Sequence, residues 1–509
     1  MASTAAHQPA PPAAVTGRRR RLSMLVAAFG TVVEWYDFSI FFYVSTSLSR
    51  VFFGPYEGSL LMTLAIGSVG FLFRPIGAMV FGHLGDRIGR KSSLVISASL
   101  MAVAMAGIAL VPGQETWGVW GAVTVIALRC LAGFSVGAEY TGIMVFLMES
   151  AKDGRRGFAA SWAAANSEVG SLLAVGLGTV MAVQLSPEDL DGWGWRVLFL
   201  IGGALAALMI PLRRLMVETE TFEHTQRSTA QAARSPLIAV LRTHPKSVLL
   251  AFLISSIGSV TYFLNITNVP AYLEEAAHLE SAGSLGLGTI AAVVAIVVTP
   301  LIGLASDRFG RRALLAAFVA IIAVSTIPAY LMLTHAGPGS AMVGVALLAV
   351  PAAGWSAIAA AAVPEQFTAV GRFSGMAIGY NLATVLFGGL SPFLATWLMS
   401  ATGSALAPAV YSTAVAVVFG IPVVAMVRDM AGRPLAELDQ DPELEPGVVR
   451  SGGRPAGHPP GRLSQDRGRR PGCGSKISRG VRRRSASPPA PGRCDPGRRA
   501  CGWAARVEQ

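Results

Sequence analysis

Twelve apolar stretches of about 20 residues or more run through most of this 509-residue chain. A helix rises about 1.5 Å per residue, so roughly 20 apolar residues cross the ~30 Å hydrocarbon core of a bilayer. Only 14% of the residues are charged, against roughly 25% in soluble domains. The pattern predicts an all-α membrane protein and excludes an ordinary soluble enzyme. Its twelve transmembrane helices are expected near 22–46, 60–83, 92–112, 118–149, 157–183, 194–213, 246–273, 284–305, 313–334, 341–363, 373–398 and 406–427.

The charges of the connecting loops predict the orientation of these helices. Cytoplasmic loops of membrane proteins are enriched in Lys and Arg. Every second connection lacks Lys and Arg, apart from Arg50 in the first of them. These connections are 47–59, 113–117, 184–193, 274–283, 335–340 and 399–405. The remaining connections carry most of the basic residues, so we expect both termini and the long connection at 214–245 to lie in the cytoplasm.

An internal repeat divides the chain into two parts. The sequence GHLGDRIGRKSSL at 82–94 recurs as GLASDRFGRRALL at 303–315, each time after the second helix of six. A repeat of this kind is typical of transporters built from two related bundles. It predicts two pseudo-symmetric six-helix bundles at 22–213 and 246–428, joined by a cytoplasmic linker at 214–245.

The formal net charge of +12 comes from the C-terminal end of the chain. Residues 450–509 contain 15 Lys and Arg against 3 Asp and Glu, whereas residues 1–449 are neutral. Gly, Pro, Arg and Ser dominate this end, and such a composition cannot bury enough apolar surface to fold. We predict a disordered basic cytoplasmic tail at 429–509, or alternatively an out-of-frame translation of GC-rich sequence, and a disordered basic N-terminus at 1–21.

Ionisable residues inside the apolar stretches are few, and each costs roughly 2.5–3.5 kcal/mol on insertion, so each is expected to face a cavity or a partner. Glu34 and Asp37 share one face of the first helix, and Glu139 lies in the fourth. These three carboxyl groups are the predicted proton-coupling residues. The alternative is that Glu34 and Asp37 pair permanently with Arg129 or Arg74 and hold helices together.

Polar residues at helical spacing predict a substrate site near the middle of the membrane. Arg129 presents a guanidinium group suited to a carboxylate, although it is equally suited to an internal ion pair. Glu168 is either a second proton site, a partner for another helix or a solvated group at a helix edge. Interhelical hydrogen bonding is the competing interpretation for the uncharged residues. The predicted substrate-binding residues are Tyr36, Arg129, Tyr140, Asn166, Asn265, Tyr380 and Asn381.

Gly133 and Gly137 form a small-residue face on the fourth helix. Small residues four positions apart let two membrane helices approach closely. Packing against another helix is therefore the predicted role of both glycines.

The repeated loop motif predicts a gate on the cytoplasmic side. Acidic and basic residues at adjoining helix ends are able to lock helices together and release them as a cavity opens, although simple anchoring by positive charge is the alternative. The predicted gating residues are Gly82, Gly85, Asp86, Arg87, Gly89, Arg90, Asp307, Arg308, Gly310 and Arg311. A cytoplasmic charge network is predicted from a second repeated pair with a constant spacing of seven, formed by Glu149, Arg156, Glu365 and Arg372.

The sequence contains no phosphate-binding loop, no catalytic Ser, His and Asp pattern and no metal-binding cluster. Its four cysteines are too few for a disulfide framework. We therefore expect no cofactor, no metal and no enzymatic activity, and transport that draws on an ion gradient.

Several motifs resemble those of the major facilitator superfamily and, within it, of the metabolite:H+ symporters related to proline/betaine, α-ketoglutarate, citrate and shikimate carriers. The loop at 82–91 resembles the superfamily motif, whereas EWYDF at 34–38, RCLAGFSVGAEY at 129–140 and GYN at 379–381 resemble the narrower family. The chain reads Gly-Ala-Glu-Tyr at 137–140 where that family usually has Gly-Gly-Glu-Trp. The resemblance implies a monomeric bacterial inner-membrane carrier of a small molecule and protons, with no nucleic-acid partner.

We predict a proton-coupled symporter that imports a small carboxylate-bearing metabolite or a zwitterionic osmolyte by alternating access. One alternative is an exporter of the same fold. The other is a transporter-like membrane receptor or scaffold whose basic tail binds anionic lipid or RNA.

Overall fold

A computed structural model describes residues 17–54, 56, 58–88, 90–137, 139–215, 236–335, 338–435 and 437. All regular elements in these ranges are helical. Twelve helices are long and apolar enough to span a membrane, which confirms the predicted fold class. They are α1 (Leu25–Tyr43), α2 (Ser59–Phe81), α3 (Lys91–Leu110), α4 (Val119–Glu149), α5 (Arg156–Gln184), α6 (Pro187–Arg214), α7 (Pro245–Thr267), α8 (Ser281–Phe309), α9 (Arg311–Thr334), α10 (Gly339–Gln366), α11 (Gly371–Thr402) and α12 (Ala407–Met426).

Three of these spans contain π-helical turns, at Leu190–Gly194 in α6, Phe263–Thr267 in α7 and Thr384–Gly389 in α11. Such turns widen the helix locally and are frequent at functional sites. Shorter helices lie between the spans, at Ser45–Phe53, Gln114–Trp117, Pro236–Thr243 and Val269–Ala276.

The glycine face of α4 packs directly on the backbone of α2, as predicted. A Cβ atom added to Gly133 would lie 1.8 Å from the carbonyl oxygen of Gly70, and one added to Gly137 would lie 2.1 Å from the amide nitrogen of Ala78. Gly77 of α2 meets the carbonyl oxygen of Phe134 in the same way, at 1.8 Å. A side chain at any of these positions would force the two helices apart.

Two of the contacts between the six-helix halves, α1–α6 and α7–α12, are related by the repeat. Helix α5 packs on α8, where the hydroxyls of Thr179 and Thr289 lie 2.9 Å apart, and α2 packs on α11. These two contacts are counterparts, because α2 and α8 occupy equivalent places in the two halves, as do α5 and α11. The arrangement agrees with an internal repeat of six helices.

The ends of the predicted domains differ from the structure in three places. The first helix begins at Gly17, within the N-terminal stretch predicted to be disordered, and Pro236–Thr243 is helical within the predicted linker. Met430 and Arg433, expected in the tail, accept hydrogen bonds from Arg156 and belong to the folded body. The predictions for 1–16, 216–235 and 438–509 lie outside the described residues.

Candidate functional site

A cavity of about 50 Å³ lies between the two halves and receives side chains from six helices. We call it the central cavity. Helices α1, α4 and α5 line it from the first half, and α7, α10 and α11 line it from the second. Its lining residues are Trp35, Tyr140, Met144, Ala164, Ser167, Glu168, Ser255, Gly258, Ser259, Tyr262, Phe263, Ser356, Ala359, Ala360, Val363 and Tyr380.

Aromatic rings form much of the wall of the central cavity. The ring of Trp35 stands edge-to-face against Tyr140, with centroids 5.5 Å apart, and against Tyr262, with centroids 5.0 Å apart. Tyr140 in turn lies 5.3 Å from Tyr380. These contacts join α1 and α4 to α7 and α11, so the rings connect the halves across the cavity.

Two buried ion pairs lie inside the first half, beside the cavity wall. Glu34 of α1 accepts a hydrogen bond from Arg74 of α2. Asp37, one turn further along α1, accepts a hydrogen bond of 3.0 Å from Nη1 of Arg129 on α4. The structure therefore brings together the predicted acidic residues of α1 and the two intramembrane arginines.

Aromatic faces complete the surroundings of these arginines. The guanidinium carbon of Arg74 lies 4.4 Å from the ring centroid of Phe38, and that of Arg129 lies 4.8 Å from that of Phe41. Neither arginine is among the residues that line the central cavity. Among the described residues, no Lys, Arg or His lines this cavity at all.

Glu168 occupies a different environment from the acids of α1. Its side chain lines the central cavity, the residue is 1% exposed, and its Oε2 atom has no hydrogen-bond partner among the described residues. The indole Nε1 of Trp35 is likewise buried without such a partner, whereas the hydroxyl of Tyr262 lies beside Glu168 and Ser171. One acceptor and one donor are thus left to bind a solute.

The predicted charge network joins the two halves on the predicted cytoplasmic face. Glu365 accepts hydrogen bonds of 3.0 Å from Nε of Arg156 and 3.1 Å from Nε of Arg311. Glu149 accepts one of 2.6 Å from Nη1 of Arg372. Each repeated acid therefore pairs with the arginine of the other copy, so both contacts must break if the halves separate on this face.

The second copy of the gating motif also reaches the first half. The carboxylate of Asp307 accepts hydrogen bonds from the backbone amides of Gly157, at 2.7 Å, and Phe158, at 2.8 Å, at the start of α5. It also binds Nη2 of Arg311 at 3.0 Å. An acid at a helix N-terminus satisfies amides that lack partners in the helix. Asp307 thereby fastens α8 to α5.

Two further gating residues have distinct surroundings. Gly310 has a φ of 87°, and a Cβ atom added to it would lie 2.2 Å from Oδ2 of Asp429. Only glycine adopts this backbone conformation readily, which explains the residue in this turn. Arg308 is exposed, and its guanidinium lies over the ring of Phe309.

The structure leaves several predicted site residues wholly or partly undescribed, and Gly89 lies outside the described part of the chain. For the others the backbone is helical but the side chains are not described: Gly82, Gly85, Asp86, Arg87, Arg90 and Glu139. Their predicted roles remain predictions.

Two of the seven predicted substrate-binding residues, Tyr140 and Tyr380, line the central cavity. Asn381 does not line it and donates to the carbonyl of Gly137 at 3.5 Å. The remaining four do not line the cavity: Tyr36, Arg129, Asn166 and Asn265.

Of these four, Arg129 pairs with Asp37, and two others also have partners away from the cavity. The hydroxyl of Tyr36 donates to the carbonyl of Leu198 at 2.7 Å, and Asn265 accepts from Tyr330 of α9 at 3.4 Å. Each contact joins two helices of the same half, α1 with α6 and α7 with α9. This is interhelical hydrogen bonding, the alternative to substrate binding.

The cavity-facing side of α7 was missed by sequence analysis. Ser255, Gly258, Ser259 and Tyr262 follow helical spacing and line the cavity, whereas Asn265, the residue of this helix that was predicted to bind substrate, does not. A row of small hydroxyl residues on an otherwise apolar helix was the signal available for this face. Trp35 also lines the cavity, and its place between the two acids of α1 is the signal for it in the sequence.

The opposite membrane face carries a smaller charged cluster. Arg50 donates to Asp191 at 2.8 Å, and Glu274, from the second half, faces both residues. Burial raises the pKa of Glu274, while Thr46, Ser281 and Arg50 act in the opposite direction. The described conformation therefore brings the halves together at both ends of the cavity.

Comparison with known proteins identifies relatives of this chain. The model of the Major Facilitator Superfamily matches residues 24–375. The "Proline/betaine transporter" of Escherichia coli K12 is 32% identical over 425 residues, covering 82% of this chain and 85% of the relative. The "Citrate-proton symporter" of Klebsiella pneumoniae is 32% identical over 398 residues, covering 78% and 89%.

Solved structures agree in fold. The proton:xylose symporter XylE bound to 6-bromo-6-deoxy-D-glucose superposes with a TM-score of 0.65 at 17% identity, covering 84% of this chain and 99% of that chain. The superposition extends over nearly the whole of that chain, so the two chains share a fold. The chain belongs to the Major Facilitator Superfamily and is a multi-pass membrane transporter.

Proposed function

We propose that this protein imports a small zwitterionic solute together with protons across a bacterial inner membrane. The composition of the central cavity carries the proposal. Among the described residues, both halves line this cavity with hydroxyl groups, aromatic rings and one carboxylate, but with no basic side chain. A fixed arginine or lysine is the usual partner of an anionic solute. The cavity therefore favours a zwitterion over a multiply charged anion.

Relatives support this choice of solute. The similar proteins include proline/betaine transporters and an "Ectoine/proline transporter" of Corynebacterium glutamicum, 32% identical over 418 residues. The citrate-proton symporter is similar to the same degree over a shorter alignment. The described lining of the central cavity contains no basic group, which favours a zwitterion over an anion such as citrate.

Alternating access follows from contacts at the two faces. A cavity of about 50 Å³ has room for roughly four water molecules, so it must widen to admit a solute. Breaking the Glu365 and Glu149 ion pairs opens it towards the predicted cytoplasmic face. Separation near Glu274 opens it towards the other face.

The carboxyl groups of α1 are the proposed proton-coupling sites. Protonation of Asp37 removes the charge that holds Arg129, and protonation of Glu34 does the same for Arg74. Trp35 lies between these acids in the sequence and faces the cavity. A movement of α1 that follows protonation therefore changes the cavity wall.

Transport assays test this function. The full chain is reconstituted into liposomes, and uptake of labelled glycine betaine, proline, ectoine and citrate is measured under an imposed inward proton gradient. We expect accumulation of at least one of the three zwitterions, abolished by a protonophore. Accumulation of citrate alone, or uptake that is insensitive to the protonophore, contradicts the proposal.

A further inference from the structure

Glu168 differs from the other buried acids because no cation partner is present. Glu34, Asp37 and Glu365 each pair with at least one arginine. Among the described side chains, Glu168 forms no ion pair, and its Oε2 atom accepts no hydrogen bond. A charge buried in this way is costly unless a partner compensates it. Either a proton or a cation from outside the described side chains compensates this carboxylate.

The rings beside Glu168 suit a positively charged nitrogen. Trp35, Tyr140 and Tyr262 line the same cavity, with the Trp35 ring in contact with both tyrosines. Aromatic faces attract cations, by about 2 kcal/mol or more where water is excluded, and cages of such rings recognise quaternary ammonium groups. A carboxylate and several rings that line the same cavity therefore favour the same kind of ligand.

We propose that Glu168, with the rings of Trp35, Tyr140 and Tyr262, forms the subsite for the ammonium group of the transported solute. This inference rests on the proposed function and specifies its solute as one that carries a substituted ammonium nitrogen. The solute supplies the positive charge that Glu168 lacks. The Nε1–H group of Trp35, which has no acceptor among the described residues, donates to its carboxylate.

The position of Glu168 also separates this role from proton coupling. The residue lies on α5, whereas Glu34 and Asp37 lie on α1 and contact arginines away from the cavity. Loss of Glu168 is therefore expected to change which solutes bind. Loss of Asp37 is expected to change how uptake depends on the proton gradient.

A pair of isosteric probes tests the assignment. Glycine betaine and 3,3-dimethylbutyrate share their shape and carboxylate, but the second has carbon in place of the charged nitrogen. Binding of both to the purified full chain is measured by competition against labelled glycine betaine. We expect wild-type protein to prefer betaine by about 30-fold, because a desolvated cation subsite contributes about 2 kcal/mol.

Variants at Glu168 provide the second comparison. Glu168→Gln is expected to reduce the preference to less than about threefold through weaker betaine binding, while Glu168→Asp retains most of it. Glu115→Gln, the same change at an exposed position, is the matched control and should keep the wild-type preference. If Glu168→Gln does not fold, the wild-type comparison of the two probes still decides.

Two results overturn the inference, and they are distinguishable. Equal wild-type affinity for both probes, or an unchanged preference in Glu168→Gln, removes Glu168 from solute recognition while proton-driven uptake stands. Absence of both binding and uptake for every zwitterion overturns the inference together with the proposed function.

Discussion

Single residues set the electrostatics of this transporter. The first half contains two ion pairs, in each of which an arginine lies within hydrogen-bond distance of a carboxylate. The central cavity contains a third carboxylate, that of Glu168, with no arginine partner among the described residues. A buried charge that loses its partner is strongly destabilising, by about 3–5 kcal/mol. Protonation of a paired acid leaves its arginine unpaired, and the resulting free-energy cost is large enough to change helix packing.

Asp37→Asn tests the proton-coupling role at this scale. The variant keeps the shape of the side chain but permanently releases Arg129, so we expect proton-driven uptake to fall at least tenfold. Solute exchange without net proton movement should persist. The two activities are measured in the same liposomes, by gradient-driven uptake and by counterflow.

The double variant Asp37→Asn, Arg129→Gln is the control for folding in this experiment. It removes the unpaired charge, and it should restore the amount of folded protein but not proton-driven uptake. Gradient-driven uptake by Asp37→Asn at the wild-type rate would exclude Asp37 from coupling.

Helix contacts determine how the halves move. The backbone contact between α2 and α4 makes the first half rigid, whereas contacts between the halves on the predicted cytoplasmic face are concentrated in ion pairs and helix caps. Charged hydrogen bonds of this kind contribute about 1.5–3 kcal/mol each. The structure thus combines rigid bundles with a gate that separates at a few defined contacts.

Gly133→Val tests the rigid contact. The added side chain meets the Gly70 carbonyl, so we expect a loss of about 1–3 kcal/mol of stability and a lower unfolding temperature in detergent. Gly176→Val is the matched control, because a Cβ atom there has no neighbour within 4 Å. Equal unfolding temperatures for the two variants would contradict the packing role of Gly133.

Glu365→Gln tests the gate. The change weakens the contacts to Arg156 and Arg311 together, so the predicted cytoplasmic face should open more often. We expect labelling of Ala360→Cys, buried in the cavity wall, to become about tenfold faster in a background without native cysteines.

The control for the gate experiment is Glu280→Gln, an exposed residue in the connection between α7 and α8. It makes the same chemical change away from the charge network and should leave the labelling rate unaltered. If Glu365→Gln labels no faster than this control, the network does not hold the gate closed.

At the scale of the whole molecule, sequence reasoning predicts the architecture better than the site. Twelve spans follow from hydrophobic length alone, because the bilayer imposes the same constraint on every helix. The cavity wall depends on helix rotation, and the polar residues of α7 lie on more than one face of that helix, so its pattern does not single out the face towards the cavity. For that reason Tyr262 was missed and Asn265, on another face, was favoured.

Pairing across the halves shows the same limit. The repeat identifies Glu149, Arg156, Glu365 and Arg372 as a set. Which acid pairs with which arginine depends on how the two bundles face each other, and each acid pairs with the arginine of the other copy. Likewise, the sequence admits Arg129 as a solute ligand or as an ion-pair partner. Its contact with Asp37 is a tertiary arrangement that spacing along the chain does not determine.

Proton movement driven by solute tests the central claim most directly. Liposomes containing the full chain and a pH-sensitive dye in the lumen are placed in glycine betaine or proline, with no imposed pH difference and with potassium and valinomycin to clamp the voltage. The account predicts that inward flow of the transported zwitterion acidifies the lumen, and that Asp37→Asn removes the acidification. Entry of labelled solute with no change in lumenal pH would contradict proton-coupled symport.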